Sequence, residues 1–176
     1  MRETDDDLRT LQRLLDESFE SSGRHMQNII TPERRLNAEE VSERLDGMRL
    51  LALATSTRDG RPIVSPVDGV FYRGSFWFGS APDSLRFRHI RERPAVSATH
   101  VPEEALAVTV HGAASIVDLQ EDQYAELREV FVGIYGPEWD EWDTEEATYA
   151  RIEARRMFTF YLSAEARAAL EAGETA

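Results

Sequence analysis

From Met48 to Asp118 the chain is a succession of short apolar segments, each closed by a turn signal. "RLLALATS" runs into "RDG" at Arg58 to Gly60, and "RPIVSPVDGVFY" runs into Arg73-Gly74. "SFWFGS", "AVSATHV" and "LAVTVHGAASIVD" follow, the last with clear apolar alternation. Gly-containing turns between such runs predict hairpins, and sequential hairpins pair antiparallel. "TYARIEARRMFTFYLS" adds one or two final strands, giving about six in all. An antiparallel sheet of that size must deal with its free edges, and closure into a barrel removes them.

Helical signals flank this core. Thr4 precedes Asp5, Asp6 and Asp7, a capping hydroxyl ahead of acids that suit the positive end of a helix dipole. Leu8, Leu11, Leu15 and Phe19 then recur at helical spacing until "SSG" at Ser21 to Gly23. A loop is expected to about Asn37 and a short helix from Ala38 to Gly47. "EDQYAELREVFVGIYG" predicts a helix with Tyr124, Leu127, Val130 and Phe131 or Ile134 on one side, and "AEARAALEAG" a last short one. There is no internal repeat and no low-complexity linker. The division expected is a helical extension over residues 1–37 and one strand-rich domain over 38–176.

Composition excludes several chemistries. The chain has 176 residues and no cysteine, which rules out disulfides, thiolate catalysis and cysteine-ligated metals. It has no lysine either: all 20 basic residues are arginine. Schiff-base catalysis and a standard P-loop are therefore impossible. Any phosphate must be held by arginine, backbone N–H groups and hydroxyls. A net charge of −13 disfavours nucleic acid and anionic membranes as partners. No segment has the apolar length of a membrane span, and the acidic "MRETDDDLRTLQ" lacks a signal-peptide core. The sequence reads as a cytoplasmic protein.

Against that acidity, "SAPDSLRFRHIRERPAVS" concentrates four arginines and a histidine between Arg86 and Arg93. A helix is expected here, starting at Pro82 and Asp83 or Ser84 and ended by Pro94. On a helical wheel Arg86 falls between Leu85 and Ile90, on the half-apolar face, while Arg88 falls elsewhere. Surface arginines are ordinarily a solvated face. An inward guanidinium, however, needs an anion or good hydrogen bonds. Helix N–H groups, the Ser80 and Ser84 hydroxyls and Arg86 together suit a phosphate.

Pro66 lies inside a strand pattern. Proline cannot donate to a ladder, so it marks an edge, a bulge or a place where the sheet opens. Ser65 beside it carries a hydroxyl, and Gly69 lets something approach the backbone closely. An opened sheet next to Arg86 forms a slot for a flat phosphorylated ligand; simple protection of an edge strand is the plainer alternative.

The segment "LLALATSTRDGRPIVSPVDGVFYRGSFWFGSAPDSLRFRHIRERPAVSATHV", with "LAVTVHGAASIVD" after it, resembles the pyridoxamine 5'-phosphate oxidase-like family. The resemblance covers Met48 to Asp118 well and "YARIEARRMFTFY" more loosely. It implies an α+β, mainly β fold: a six-stranded antiparallel split β-barrel with peripheral helices. It implies a homodimer that binds flavin mononucleotide (FMN) between subunits and acts as an oxidoreductase. Carried over by position, Arg61 and Arg86 would hold the phosphate, with Gly79, Ser80 and Ser84 beside it. The backbone of Ile63, Val64, Ser65 and Pro66 would run under the isoalloxazine ring. The arginine- and histidine-containing tail with which true pyridoxamine phosphate oxidases grip substrate has no counterpart in "YLSAEARAALEAGETA". Family alternatives are the deazaflavin coenzyme F420, whose oligoglutamate tail would want Arg88 and Arg91, and a non-catalytic flavin- or haem-binding dimer.

No other constellation carries chemistry. His25, His89, His100 and His111 show no metal-ligand spacing, and His111 reads as a satisfied or exposed strand residue. The acids Glu138, Asp140, Glu141, Asp143, Glu145 and Glu146 lack the spacing of a calcium loop, so no metal is expected. Trp139 and Trp142 among them either lid a pocket or pin the loop to the barrel or a partner. No side chain stands out as an acid–base catalyst.

Overall fold

A computed structural model describes residues 2–141 and 147–171 of the chain. The first helix, α1 (Asp5–Glu20), begins with a reciprocal cap: Asp7 N donates to the Thr4 hydroxyl, and Thr4 N donates to the Asp7 carboxylate. Its Leu11 and Leu15 are buried in the same cluster as the barrel interior. Ser18 is buried with them and accepts a hydrogen bond from Met157 N at 2.9 Å. The stretch expected as loop holds a short helix, α2 (Arg24–Ile29), and a 3-10 turn at Pro32–Arg34. Its ties escape a search for periodicity: the Gln27 side chain donates to carbonyls at and just after the end of α1, and Leu36 N donates across the fold to Thr159 Oγ1 at 3.0 Å. Helix α3 (Ala38–Arg44) is capped by Asn37 and Glu40 in the same reciprocal way and stops short of Gly47.

Six strands follow the sequence expectation: β1 (Met48–Ser56), β2 (Pro62–Tyr72), β3 (Ser75–Ser80), β4 (Ala95–Glu103), β5 (Leu106–Val117) and β6 (Thr148–Tyr161). All pair antiparallel, in the closed order β1-β2-β3-β6-β5-β4. The last apolar stretch is one strand, not two. Arg73 and Gly74 both take positive φ, 48° and 72°, the two-residue hairpin geometry whose twist matches its strands. At Gly112, where β6 bulges at Arg155 against β5, a Cβ would stand 2.1 Å from the Glu153 carbonyl oxygen. Only glycine allows those backbones to meet.

Closure is uneven. β1 and β2 pair along their whole length, from Met48↔Val70 to Ser56↔Pro62. β2 and β3 pair only from Gly69↔Phe78 to Tyr72↔Ser75. The first half of β2, Pro62 to Asp68, therefore has an open flank among the described residues. β1 and β4 meet over Ala52↔Thr99 to Ala54↔Ser97 alone.

Two apolar clusters hold this arrangement. The barrel interior contains Leu51, Leu53, Phe76, Phe78, Val108, Val110 and Ile152, closed at one side by Phe87 and Ile90 of α4 (Leu85–Glu92). Phe78 and Phe87 stack at 5.8 Å. Each such ring contributes roughly 1.5–3 kcal/mol by leaving water. A second cluster lies outside the barrel, where α5 (Ala125–Tyr135) covers Val70, Tyr72 and Trp77 with Leu127, Val130 and Phe131. A short helix, α6 (Ala164–Glu171), follows β6. Among the described residues no helix is long and apolar enough to cross a membrane.

Candidate functional site

The open flank of β2 and the start of α4 come together at one hydrogen bond. Arg86 Nη2 donates to the Pro66 carbonyl at 2.8 Å. In an antiparallel ladder a residue's N–H and C=O point to the same flank. Pro66 therefore turns its C=O toward the opening, the flank on which an N–H would also lie, so its missing N–H takes nothing from the pairing with β1. By the same alternation the peptide groups of Val64 and Asp68 also face the gap. Pro66 thus marks the place where the sheet opens.

Arg86 is half-buried. Loss of water around it pushes its pKa below the usual arginine value. Among the described residues no carboxylate pairs with it. The wheel reading needs one correction: Leu85 is exposed, and the buried stripe of α4 is Phe87, His89 and Ile90. Arg86 reaches the opening from the border of that stripe, not from within it. Ser84 is the N-cap, its Oγ accepting from Phe87 N at 3.4 Å. Ser80 ends β3 and is half-buried.

The other proposed contacts are less simply arranged. Arg61 is exposed, and its Nε donates to Asp59 at 2.8 Å within the β1–β2 turn. Reaching an anion requires it to leave that partner. Ile63 and Ser65 are half-buried, Val64 exposed. Val64, Ser65 and Pro66 line a shallow groove of about 280 Å³ with Leu50, Ala52 and Val101. At Gly79 a Cβ would meet the Tyr149 ring at 2.6 Å, so this glycine makes room for an aromatic side chain.

The remaining arginines of the charged stretch divide. Arg88 is exposed. Arg91 instead closes the turn into α4, its Nη1 donating to the Pro82 carbonyl at 2.8 Å. Arg93 is half-buried and ties the end of α4 to β1, its Nε donating to Ser56 O at 3.0 Å. His89 is buried, with Nδ1 2.9 Å from Thr55 Oγ1. His111 is exposed, with Nδ1 2.8 Å from Ser97 Oγ. Among the described residues no three acids or histidines form a metal-binding group.

Sequence reasoning missed a cleft of about 390 Å³ next to Ser80. Its walls are Asp68, Ser80, Phe131, Tyr135, Trp139 and Tyr149. Trp139 is 7% exposed and stacks on Phe131 at 4.8 Å, only 8° from parallel. Tyr149 stands edge-on to both rings, at 5.6 and 5.7 Å. Trp139 thus pins its turn to the barrel and also walls a pocket; Trp142, Asp143, Glu145 and Glu146 lie outside the described residues. The one signal in the sequence was the Phe131/Tyr135 spacing, which puts two rings on one helix face.

Solved structures share this fold. A conserved hypothetical protein of Mycobacterium tuberculosis matches with a TM-score of 0.60 at 21% identity, covering 74% of this chain and 88% of that one. HutZ, a haem storage protein of Vibrio cholerae, matches with 0.59 at 19%, covering 69% and 91%. An FAD-binding protein of Mesorhizobium loti matches with 0.55 at 21%, covering 70% and 92%. A search of curated proteins finds no match to the sequence. The sequence model of the pyridoxamine 5'-phosphate oxidase family spans residues 38–162, from α3 through the end of β6, and this chain belongs to that family.

Proposed function

We propose that the protein is a homodimeric oxidoreductase that binds FMN at the open flank of β2. The observation that carries this is Arg86: a half-buried guanidinium without a carboxylate partner among the described residues, beside a helix N-terminus and an unpaired strand edge. A phosphate supplies the missing counter-charge, and the first N–H groups of α4 add to its hold. Ser80 and Ser84 offer hydroxyls on the same side. Arg61 joins once it exchanges Asp59 for the ligand. The peptide groups of Val64 and Asp68 offer N–H and C=O partners to the polar edge of a flat ring. Gly79 contributes by seating Tyr149.

FMN, when bound, supplies hydride and electron transfer. The chain's own residues bind it, orient it and exclude water. Exposed Leu50, Val64 and Val101 line one groove across β1, β2 and β4, together with Pro66, and support a dimer whose interface covers them. A partner there also shields the ring from solvent.

The test is direct. The purified protein is expected to show a flavin visible spectrum, and mass spectrometry of the released cofactor to return the mass of FMN. Release of F420 or haem instead would replace the cofactor assignment. Reduction of the bound flavin by a nicotinamide, with turnover, separates an enzyme from a storage module.

A further inference from the structure

We propose that the aromatic cleft between β3, β6 and α5 seats the flat ring of a neutral or cationic substrate, and that Asp68 turns anionic compounds away. This rests on the flavin reading above for the word substrate; the chemistry of the cleft stands by itself.

Three observations carry it. The first is shape and lining. The cleft is large enough for a bicyclic ring and is walled by Phe131, Tyr135, Trp139 and Tyr149. Three of those rings already brace one another in stacked and edge-on contacts. A preformed aromatic wall holds a further flat ring with little loss of side-chain freedom. Gly79 is part of that preformation, because any Cβ there would displace Tyr149.

The second is charge. Asp68 lines the cleft, and no arginine does so among the described residues. Asp68 is exposed and makes no ion pair among them. A phosphate or carboxylate on the ligand meets a like charge with no basic side chain among the described lining residues to offset it. An amine or an uncharged ring meets none. The chain thus separates two chemistries along one face. Arg86 and the α4 N-terminus serve an anion; the cleft beyond Ser80 serves a ring without negative charge.

The third is hydrogen bonding. The Tyr135 phenol stays protonated far into alkali, because burial and the nearby Asp68 carboxylate push its pKa up to about 12. It is 37% exposed at the mouth, where a phenol can donate to a carbonyl or accept from an amine.

The experiment uses one ring in two charge states. Isothermal titration calorimetry near pH 7.5 compares 2-naphthol with 2-naphthyl phosphate on FMN-saturated and cofactor-free protein. 2-Naphthol is expected to bind both forms without releasing flavin, and, on the FMN-saturated protein whose Arg86 site is filled, at least about tenfold tighter than the phosphate ester. Asp68→Asn is expected to narrow that ratio to about threefold or less. Tyr135→Ala is expected to weaken 2-naphthol by roughly 2- to 10-fold, the worth of one aromatic contact. Equal affinity for the two probes overturns the proposal, as does 2-naphthol that expels FMN or fails to bind. FMN titration separately judges the flavin reading. A chain that binds 2-naphthol but no FMN keeps the cleft as a ring site and loses the flavin.

Discussion

Arg86→Ala is the most informative single change. Among the described residues the guanidinium makes one hydrogen bond, to the Pro66 carbonyl, and is half-desolvated without an ionic partner. Two separable effects are expected from its removal. Without ligand, a charge-assisted bond at a half-exposed site is lost, which costs about 1 kcal/mol. For a domain of this size that lowers Tm by roughly 2–4 °C. With FMN, the loss includes a charged contact to a phosphate near −2, worth about 1.5–3 kcal/mol. Dissociation constants rise roughly 10- to 150-fold. Fluorescence quenching of free FMN measures the second effect and differential scanning calorimetry of the cofactor-free protein the first. Arg88→Ala, on the exposed side of α4, is the control and is expected to leave both within error. Arg86→Lys keeps the charge but loses the planar fork, so it is expected to recover part of the affinity. An Arg86→Ala protein that holds FMN within about threefold of the parent removes the phosphate from this corner of the fold.

Three further changes probe the frame around the site. Tyr72 and Tyr135 both have pKa values raised to about 12, by burial first and then by the carboxylates of Glu126 and Asp68 respectively. Each holds its proton more tightly folded than unfolded, so stability falls as pH climbs from about 10 to about 12. The chain has no lysine to titrate in that window. Urea unfolding against pH is expected to show the decline, flattened by Tyr72→Phe and Tyr135→Phe; a rise in stability above pH 10 contradicts it. Gly112→Ala forces a Cβ to 2.1 Å from the Glu153 carbonyl oxygen and is expected to destabilise by at least about 2 kcal/mol. Gly79→Ala meets the Tyr149 side chain rather than backbone at its nearest contacts, so it is expected to destabilise less than Gly112→Ala while weakening 2-naphthol in the cleft. Leu11→Ala, which opens a cavity between α1 and the barrel, is expected to lose about 2–5 kcal/mol in the same urea assay.

Local chemistry made much of this protein legible before any coordinates. The turns at Gly60 and Gly74 need positive φ, 82° and 72°, and glycine is the residue that supplies it. Thr4 with Asp7, and Asn37 with Glu40, declare helix starts three residues apart. Pro66 could sit only where its absent N–H was not needed, and Arg86 needed an acceptor wherever its helix put it. Each of these depends on a residue and its near neighbours in the chain. The strands, the arginine-rich helix and the open edge were therefore readable in order.

What joins them was not. β6 inserts between β3 and β5, linking Gly79 to Tyr149 and Val117 to the same tyrosine, and no local signal encodes that register. The cleft exists because this insertion brings Tyr149 under the rings of α5, with Asp68 arriving from a strand far earlier in the chain. Likewise Arg61 was assigned to a phosphate by position, yet its own turn turns it to Asp59. Propensity, capping and turn geometry act over a few residues, so the sequence by itself determines the elements and their succession. Burial of aromatic surface acts between segments that meet only on closure, so the tertiary structure alone decides which rings, which carboxylate and which strand edge share a site.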